Sequence, residues 1–262
     1  MSRIGEAFAR AAAQRRVAFI PYLTAGDPSP ARTVDLVLAL AGCGADLVEL
    51  GVPFSDPLAD GEINQRAAQR ALASGTHLGE VLEIATEVRR RCPVPLLLFS
   101  YFNPILRMGM EAFARRACAA GVDGVLATDL PVEEGSEYRS ILASGGLEPI
   151  FMAAPTTLPS RLKAVGEASG GFVYYVSRPG VTGERDRLPD EARARVEEIR
   201  RITGKKVAVG FGISRREHVT QVASFADGVV IGSALVRVVE ETGDRHDLAS
   251  RIERKARELL GT

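Results

Sequence analysis

Short apolar, β-branched runs recur eight times along this 262-residue chain, and a helical pattern follows each one. No other feature restricts the fold as much. The runs lie at 17–23, 46–50, 94–101, 124–127, 148–152, 172–176, 207–210 and 228–231. The helical patterns between and after them cover 31–41, 78–90, 110–120, 133–143, 158–167, 190–202, 215–223 and 247–260, and an amphipathic helix precedes the first run. Alternating strands and helices imply a parallel sheet. Strands that are apolar along their whole length imply cover on both faces. Eight such units match a (β/α)8 TIM barrel with an extra N-terminal helix, and a doubly wound open sheet is the runner-up. Gly44-Ala-Asp-Leu-Val-Glu, Gly121-Val-Asp-Gly-Val-Leu and Phe225-Ala-Asp-Gly-Val-Val repeat one turn-to-strand pattern. Repeated units explain this, and so does shared turn chemistry. No linker or composition shift divides residues 1–262, which read as a single catalytic domain.

The bulk numbers remove several function classes. Lys plus Arg and Asp plus Glu are 33 each, and the runs at Arg89-Arg90-Arg91 and 193–201 read as solvated helix faces. A nucleic-acid partner is therefore not expected. No apolar run approaches about 18 residues, so no membrane span is expected. Cys43, Cys92 and Cys118 are odd in number and lack metal-ligand spacing, which predicts a reducing, cytoplasmic location and neither disulfide nor zinc. His77, His218 and His246 stand away from the strand ends, which disfavours a histidine triad or metal site.

In a barrel, chemistry gathers where strands end and βα loops begin. The run Asp46-Leu-Val-Glu-Leu-Gly-Val-Pro-Phe-Ser-Asp-Pro-Leu-Ala-Asp60-Gly61 sets one carboxylate inside a strand and two on the loop beyond it. Alternation places Leu47, Glu49 and Gly51 on one face. If Val48 and Leu50 meet the helices, Glu49 points into the barrel, where burial raises its pKa toward the range useful for proton transfer. The competing reading is a structural glutamate paired with an arginine or hydroxyl. For Asp60 it is a turn or a helix cap. Two acids on one βα unit favour an acid/base pair. Gly210-Phe-Gly212 after the seventh strand and Gly232-Ser233 opening a helix after the eighth suit a phosphate group, with Gly183 on the sixth loop as a further cradle. Tyr22, Tyr101 and Tyr174 at strand ends, and Phe211, are candidates for a pocket holding a flat ring. Proton transfer at carbon, carbon–carbon cleavage and isomerisation of a phosphorylated substrate all fit these residues without a metal.

These motifs, taken in order, resemble the tryptophan synthase alpha subunit family. Phe19-Ile-Pro-Tyr-Leu-Thr-Ala-Gly-Asp-Pro28 resembles its first strand, and the stretch from Leu47 to Gly61 resembles its signature loop. Asn103-Pro104, Asp129-Leu-Pro131, Gly180-Val-Thr-Gly183, Gly210-Phe-Gly-Ile213 and Gly232-Ser-Ala234 follow. The resemblance implies retro-aldol cleavage of indole-3-glycerol phosphate to indole and glyceraldehyde 3-phosphate. It implies Glu49 as general acid/base and Asp60 as the group that holds the indole N–H. Gly183, Gly212, Gly232 and Ser233 would hold phosphate, and Tyr22, Leu126, Tyr174 and Phe211 would wall the indole pocket. Thr182 and Arg178 would belong to a closing sixth loop. The resemblance further implies an αββα assembly with a pyridoxal-phosphate-dependent β subunit, met through Pro53 and Asp56, and no cofactor in this chain. A stand-alone lyase, a non-catalytic regulatory subunit and another phosphate-binding barrel such as an isomerase are the alternatives. The chain departs from the family pattern at Glu62-Ile63-Asn64, where an apolar residue is expected at 64 and Ile63 is expected to replace it after a local shift. It departs also at Thr128 and at Phe99-Ser100-Tyr101.

Overall fold

The apolar runs form strands buried on both faces, and their two faces sort into two separate clusters. The computed structural model describes residues 1–176, 191–210 and 212–262. The strands are β1 (Ala18–Thr24), β2 (Val48–Gly51), β3 (Leu96–Ser100), β4 (Gly124–Ala127), β5 (Glu148–Ile150), β6 (Met152–Ala153), β7 (Phe172–Val176), β8 (Lys206–Gly210) and β9 (Gly228–Ile231). Their order is β5-β4-β3-β2-β1-β9-β8-β7-β6, with every pairing parallel. The two ends of this order, β5 and β6, are consecutive in sequence and separated by Phe151 alone. The Tyr174 N–H donates to the Phe151 carbonyl at 3.1 Å, which carries the ladder across the gap. Read as one interrupted strand, β5 and β6 bring the count to eight and close the barrel. The single run expected at 148–152 is thus broken at its fourth residue.

Around the barrel lie α1 (Arg3–Ala13), α2 (Pro30–Gly42), α3 (Glu62–Ala73), α4 (Leu78–Arg91), α5 (Phe102–Met108), α6 (Met110–Ala119), α7 (Ser136–Ser144), α8 (Pro159–Ala168), α9 (Ala192–Thr203), α10 (Arg216–Ala223), α11 (Ser233–Thr242) and α12 (Leu248–Leu260). The outward strand residues, among them Val48, Leu50, Leu96, Leu98, Val173 and Tyr175, join the helices in the larger cluster. The inward residues, including Ile20, Leu47, Leu97, Leu126, Phe172 and Ala208, fill the barrel. α1 supplies Ile4, Phe8 and Ala11 to this interior cluster, with the Phe8 and Phe172 rings 5.2 Å apart. The N-terminal helix therefore plugs one end of the barrel. Each large apolar side chain buried there contributes about 1.5–3 kcal/mol.

Two helices escape the sequence pattern. α3 buries Ile63, Asn64, Ala67, Ala68 and Ala71, mostly small residues that give little periodic signal. α5 has seven residues, holds Pro104 in its first turn where no backbone donor is lost, and stops at Gly109 with φ 84°. α3 matters because it begins directly after the Asp60 loop. The Arg70 guanidinium grips Asp27 in a two-point fork at 2.9 and 2.8 Å and reaches Glu240 of α11 at 2.9 Å. Arg66 grips Glu240 a second time, at 2.6 and 2.9 Å, so α3 is tied to the first βα loop and to α11. Flanked by two guanidinium groups, Glu240 has its pKa lowered to about 2.

Candidate active site

The site begins with strand parity. Tyr22 on β1 stands in register with Glu49 on β2, and Glu49 with Leu97 on β3. All three face the barrel interior, so the expected inward orientation of Glu49 holds. Glu49 is fully buried, and neither carboxyl oxygen has a hydrogen-bond partner among the described residues. Burial alone drives its pKa well above the ordinary 4.5. Among the described residues Glu49 thus lacks the arginine or hydroxyl partner that the structural reading of this glutamate calls for.

Around Glu49 the barrel interior carries an aromatic layer. Phe99 lies between two tyrosines, meeting Tyr22 edge-on at 5.6 Å and 81° and Tyr174 at 6.2 Å and 54°. Each tyrosine lies over a glycine at the end of a neighbouring strand. A Cβ on Gly51 would sit 2.1 Å from the Tyr22 hydroxyl, and one on Gly210 would sit 2.4 Å from the Tyr174 hydroxyl. Glycine at these strand ends is therefore a packing requirement of the aromatic layer. Burial raises both tyrosine pKa values, and the acids Glu49 and Asp60 push them further the same way, so both hydroxyls stay protonated.

The loop from Val52 to Gly61 carries the second acid. Asp60 is buried, and the Tyr101 hydroxyl donates to its Oδ2 at 3.0 Å. The same hydroxyl accepts from the Ala59 N–H at 2.9 Å, while the Tyr101 ring stacks on Phe54 at 4.9 Å. One side chain thus holds the loop at three points. The Gln65 side chain adds a bond to the Asp60 carbonyl at 2.8 Å. Burial raises the Asp60 pKa, and the Tyr101 hydroxyl and the Asn64 side chain oppose the rise by favouring the carboxylate. Elsewhere on this loop Pro53 is buried, Asp56 is exposed and Leu58 is 77% exposed.

A pocket opens over this layer, lined by Tyr22, Asp60, Asn64, Phe99, Tyr174 and Val230 below and by Gly212, Ile213, Gly232 and Ser233 at its rim. Gly232 caps α11, and Ser233 begins it. The first-turn N–H groups of a helix have no partner within it and suit an anion. Gly212 takes φ +80°, the left-handed region open to glycine. Of the residues expected from sequence, Tyr22, Asp60, Tyr174, Gly212, Gly232 and Ser233 meet at this one pocket. Glu49 lies in the same barrel interior beside Tyr22, and Leu126 pairs with Phe99 and fills the interior cluster. Phe211, Arg178, Thr182 and Gly183 lie outside the described residues. Ile213 and Val230 line the pocket beyond the residues expected there, and Phe99, a departure from the family pattern, lines it because the parity that sets Leu97 inward applies equally to Phe99. Tyr101 holds the loop instead of lining the pocket. Ile63 does not replace the residue at 64, because Asn64 itself stands in the lining. The Ser100 hydroxyl donates to the Tyr101 carbonyl at 2.8 Å and the Thr128 hydroxyl to the Ser100 carbonyl at 3.3 Å, so both departures serve the backbone.

A family model described as tryptophan synthase alpha chain matches residues 8–260. The chain belongs to the tryptophan synthase alpha chain family. It is 49% identical over 259 residues to the tryptophan synthase alpha chain of Solibacter usitatus, covering 99% of this chain and 97% of that one. It is 51% identical over 243 residues to the corresponding chain of Bordetella parapertussis, covering 92% and 85% respectively. Among solved structures, the tryptophan synthase α2β2 complex of Pyrococcus furiosus matches with a TM-score of 0.88 at 44% identity, covering 94% of this chain and 98% of that chain. A mutant alpha subunit of the same organism matches with a TM-score of 0.87 at 43% identity, with the same coverage. The barrel, the Leu47 to Gly61 signature and the two acids thus fall in the part of the chain that the tryptophan synthase alpha model spans.

Proposed function

We propose that residues 1–262 act as one catalytic domain that cleaves indole-3-glycerol phosphate to indole and glyceraldehyde 3-phosphate. The observation that carries this reading is Glu49, a buried carboxyl without a partner beside an aromatic pocket whose rim offers a helix N-terminus. Glu49 starts protonated and gives its proton to indole C3, forming the indolenine. The resulting carboxylate takes the proton of the glycerol hydroxyl on the carbon attached to C3. The bond from C3 to that carbon breaks, its electron pair returns to the ring, and Glu49 is again protonated. Asp60 holds the ring N–H and, as a carboxylate, stabilises the positive charge on the indolenine nitrogen. Tyr22, Phe99 and Tyr174 bound the ring, with Leu126 behind them, and Gly212, Gly232 and Ser233 receive the phosphate. Phe211, Gly183, Arg178 and Thr182 complete the pocket, the phosphate cradle and the closing sixth loop on the strength of the motif resemblance.

The reaction requires no cofactor in this chain. The partner is a β subunit that carries pyridoxal phosphate and receives the indole, in an αββα assembly. Pro53 and Asp56 belong to the contact surface, and exposed Leu58 supports this placement of the loop. Free cysteines and the absence, among the described residues, of any helix long and apolar enough to cross a membrane support action in the cytoplasm. Indole release from indole-3-glycerol phosphate, with and without a β subunit, tests the reading. Large activation by the partner supports it. High activity of the chain alone favours a stand-alone lyase, and no indole under either condition refutes it.

A further inference from the structure

Asn64 brings into the ring pocket a carbonyl oxygen for which the mechanism above has no use. It lines the ring pocket, and only 8% of it is exposed. Asp60 and Asn64 line the same pocket four residues apart, and a carboxylate only accepts hydrogen bonds, so the group that Asn64 can offer Asp60 is its NH2. Its carbonyl oxygen then faces elsewhere and is buried without a partner among the described residues. A buried amide oxygen left this way destabilises the fold, and an apolar side chain of the same size would remove the penalty. Asn64 is also held in place. It lies in the first turn of α3, which Gln65 ties to the Asp60 carbonyl at 2.8 Å and Arg70 ties to Asp27 through its two-point fork.

An unsubstituted indole offers one donor, its N–H, and the Asp60 carboxylate is the stronger acceptor for it. The Asn64 oxygen therefore lacks a donor on that ligand. We infer that Asn64 is a specificity-determining residue of the ring pocket, its NH2 positioning Asp60 and its carbonyl oxygen accepting a hydrogen bond from a hydroxyl or amino substituent on the six-membered ring of an indole. The inference rests on the ring pocket assigned above and adds a ligand class to it: indoles carrying a donor on the carbocycle.

The test is calorimetric titration of the full chain with indole and with 4-, 5-, 6- and 7-hydroxyindole, using wild type, Asn64→Leu and Asn64→Ala. One hydroxyindole is expected to bind wild type several-fold to about tenfold more tightly, relative to indole, than it binds either variant. Hydroxyindole-to-indole ratios that are the same in wild type and both variants overturn the inference, as they would if ordered water satisfied the oxygen. The positioning role is read separately in the pH dependence of kcat/KM for indole-3-glycerol phosphate. Its acid limb is expected at higher pH in Asn64→Leu, because the group favouring ionised Asp60 is gone, and an unmoved limb overturns that role. Cleavage by wild type in the same assay separates the two readings. If wild type fails to cleave, the proposed function falls. If it cleaves with unchanged ratios, only the ligand-class inference falls.

Discussion

Replacing Glu49 by Gln is expected to stabilise the protein increasingly as pH rises, while it removes activity. Glu49 has no exposed surface and no hydrogen-bond partner among the described residues, and burial is what raises its pKa. Its folded pKa is above the unfolded value, so its favourable contribution is complete below the ordinary 4.5. That contribution is lost as pH climbs toward the folded pKa, because only the unfolded chain releases the proton. Glutamine has no proton to release. The variant should therefore gain on wild type by about 1.4 kcal/mol per pH unit above the unfolded pKa, for as long as folded Glu49 stays protonated. In a domain of this size, each such step corresponds to roughly 3–6 °C in Tm. Calorimetric melting of both proteins from pH 4 to pH 8 measures this directly. Near pH 4 the curves should almost coincide, and they should separate with rising pH. A difference that is constant with pH would show Glu49 titrating as an ordinary surface carboxylate, and the acid/base argument would fail with it.

Other substitutions probe the groups around this carboxyl. Asp60→Asn should abolish cleavage while binding of inorganic phosphate at the Gly232–Ser233 rim survives, as followed by titration. Tyr101→Phe keeps the stack on Phe54 but loses the donor to Asp60, a charge-assisted bond of about 1.5–3 kcal/mol. Its kcat/KM should drop roughly ten- to a hundredfold with the acid limb at higher pH, and an unchanged profile would show that the bond is idle. Gly51→Ala should push Tyr22 out of the aromatic layer, since the new Cβ would lie 2.1 Å from its hydroxyl. We expect a stability loss of about 1–3 kcal/mol in denaturant melts, together with weaker indole binding.

Much of this architecture was legible in the chain because one physical rule, alternation along a strand, carries far. It placed Glu49 inward from the sequence of five residues, and the barrel followed from eight repetitions. The same rule applied to β3 would have revealed Phe99. What remained hidden depends on partners distant in sequence. The Arg70 fork to Asp27 joins residues 43 apart, and Arg66 meets Glu240 across 174 positions. Tyr101 reads as one more pocket aromatic until the folded loop sets Phe54, Ala59 and Asp60 around it. α3 was obscured by alanines, and β5–β6 by a local break that leaves no mark on composition. At Asn64 the expectation failed for a different reason. The family pattern called for an apolar wall, while the helix phase set by Gly61 and Gln65 keeps position 64 in the lining whatever residue occupies it.

Single-turnover cleavage of indole-3-glycerol phosphate by Glu49→Gln, in the presence of a β subunit and beside wild type, tests the central claim most directly. Wild type should release indole, and the variant, folded and still binding phosphate ligand, should release none above background. Near-normal indole release by Glu49→Gln would contradict the assignment of the buried carboxyl as the group that moves the proton.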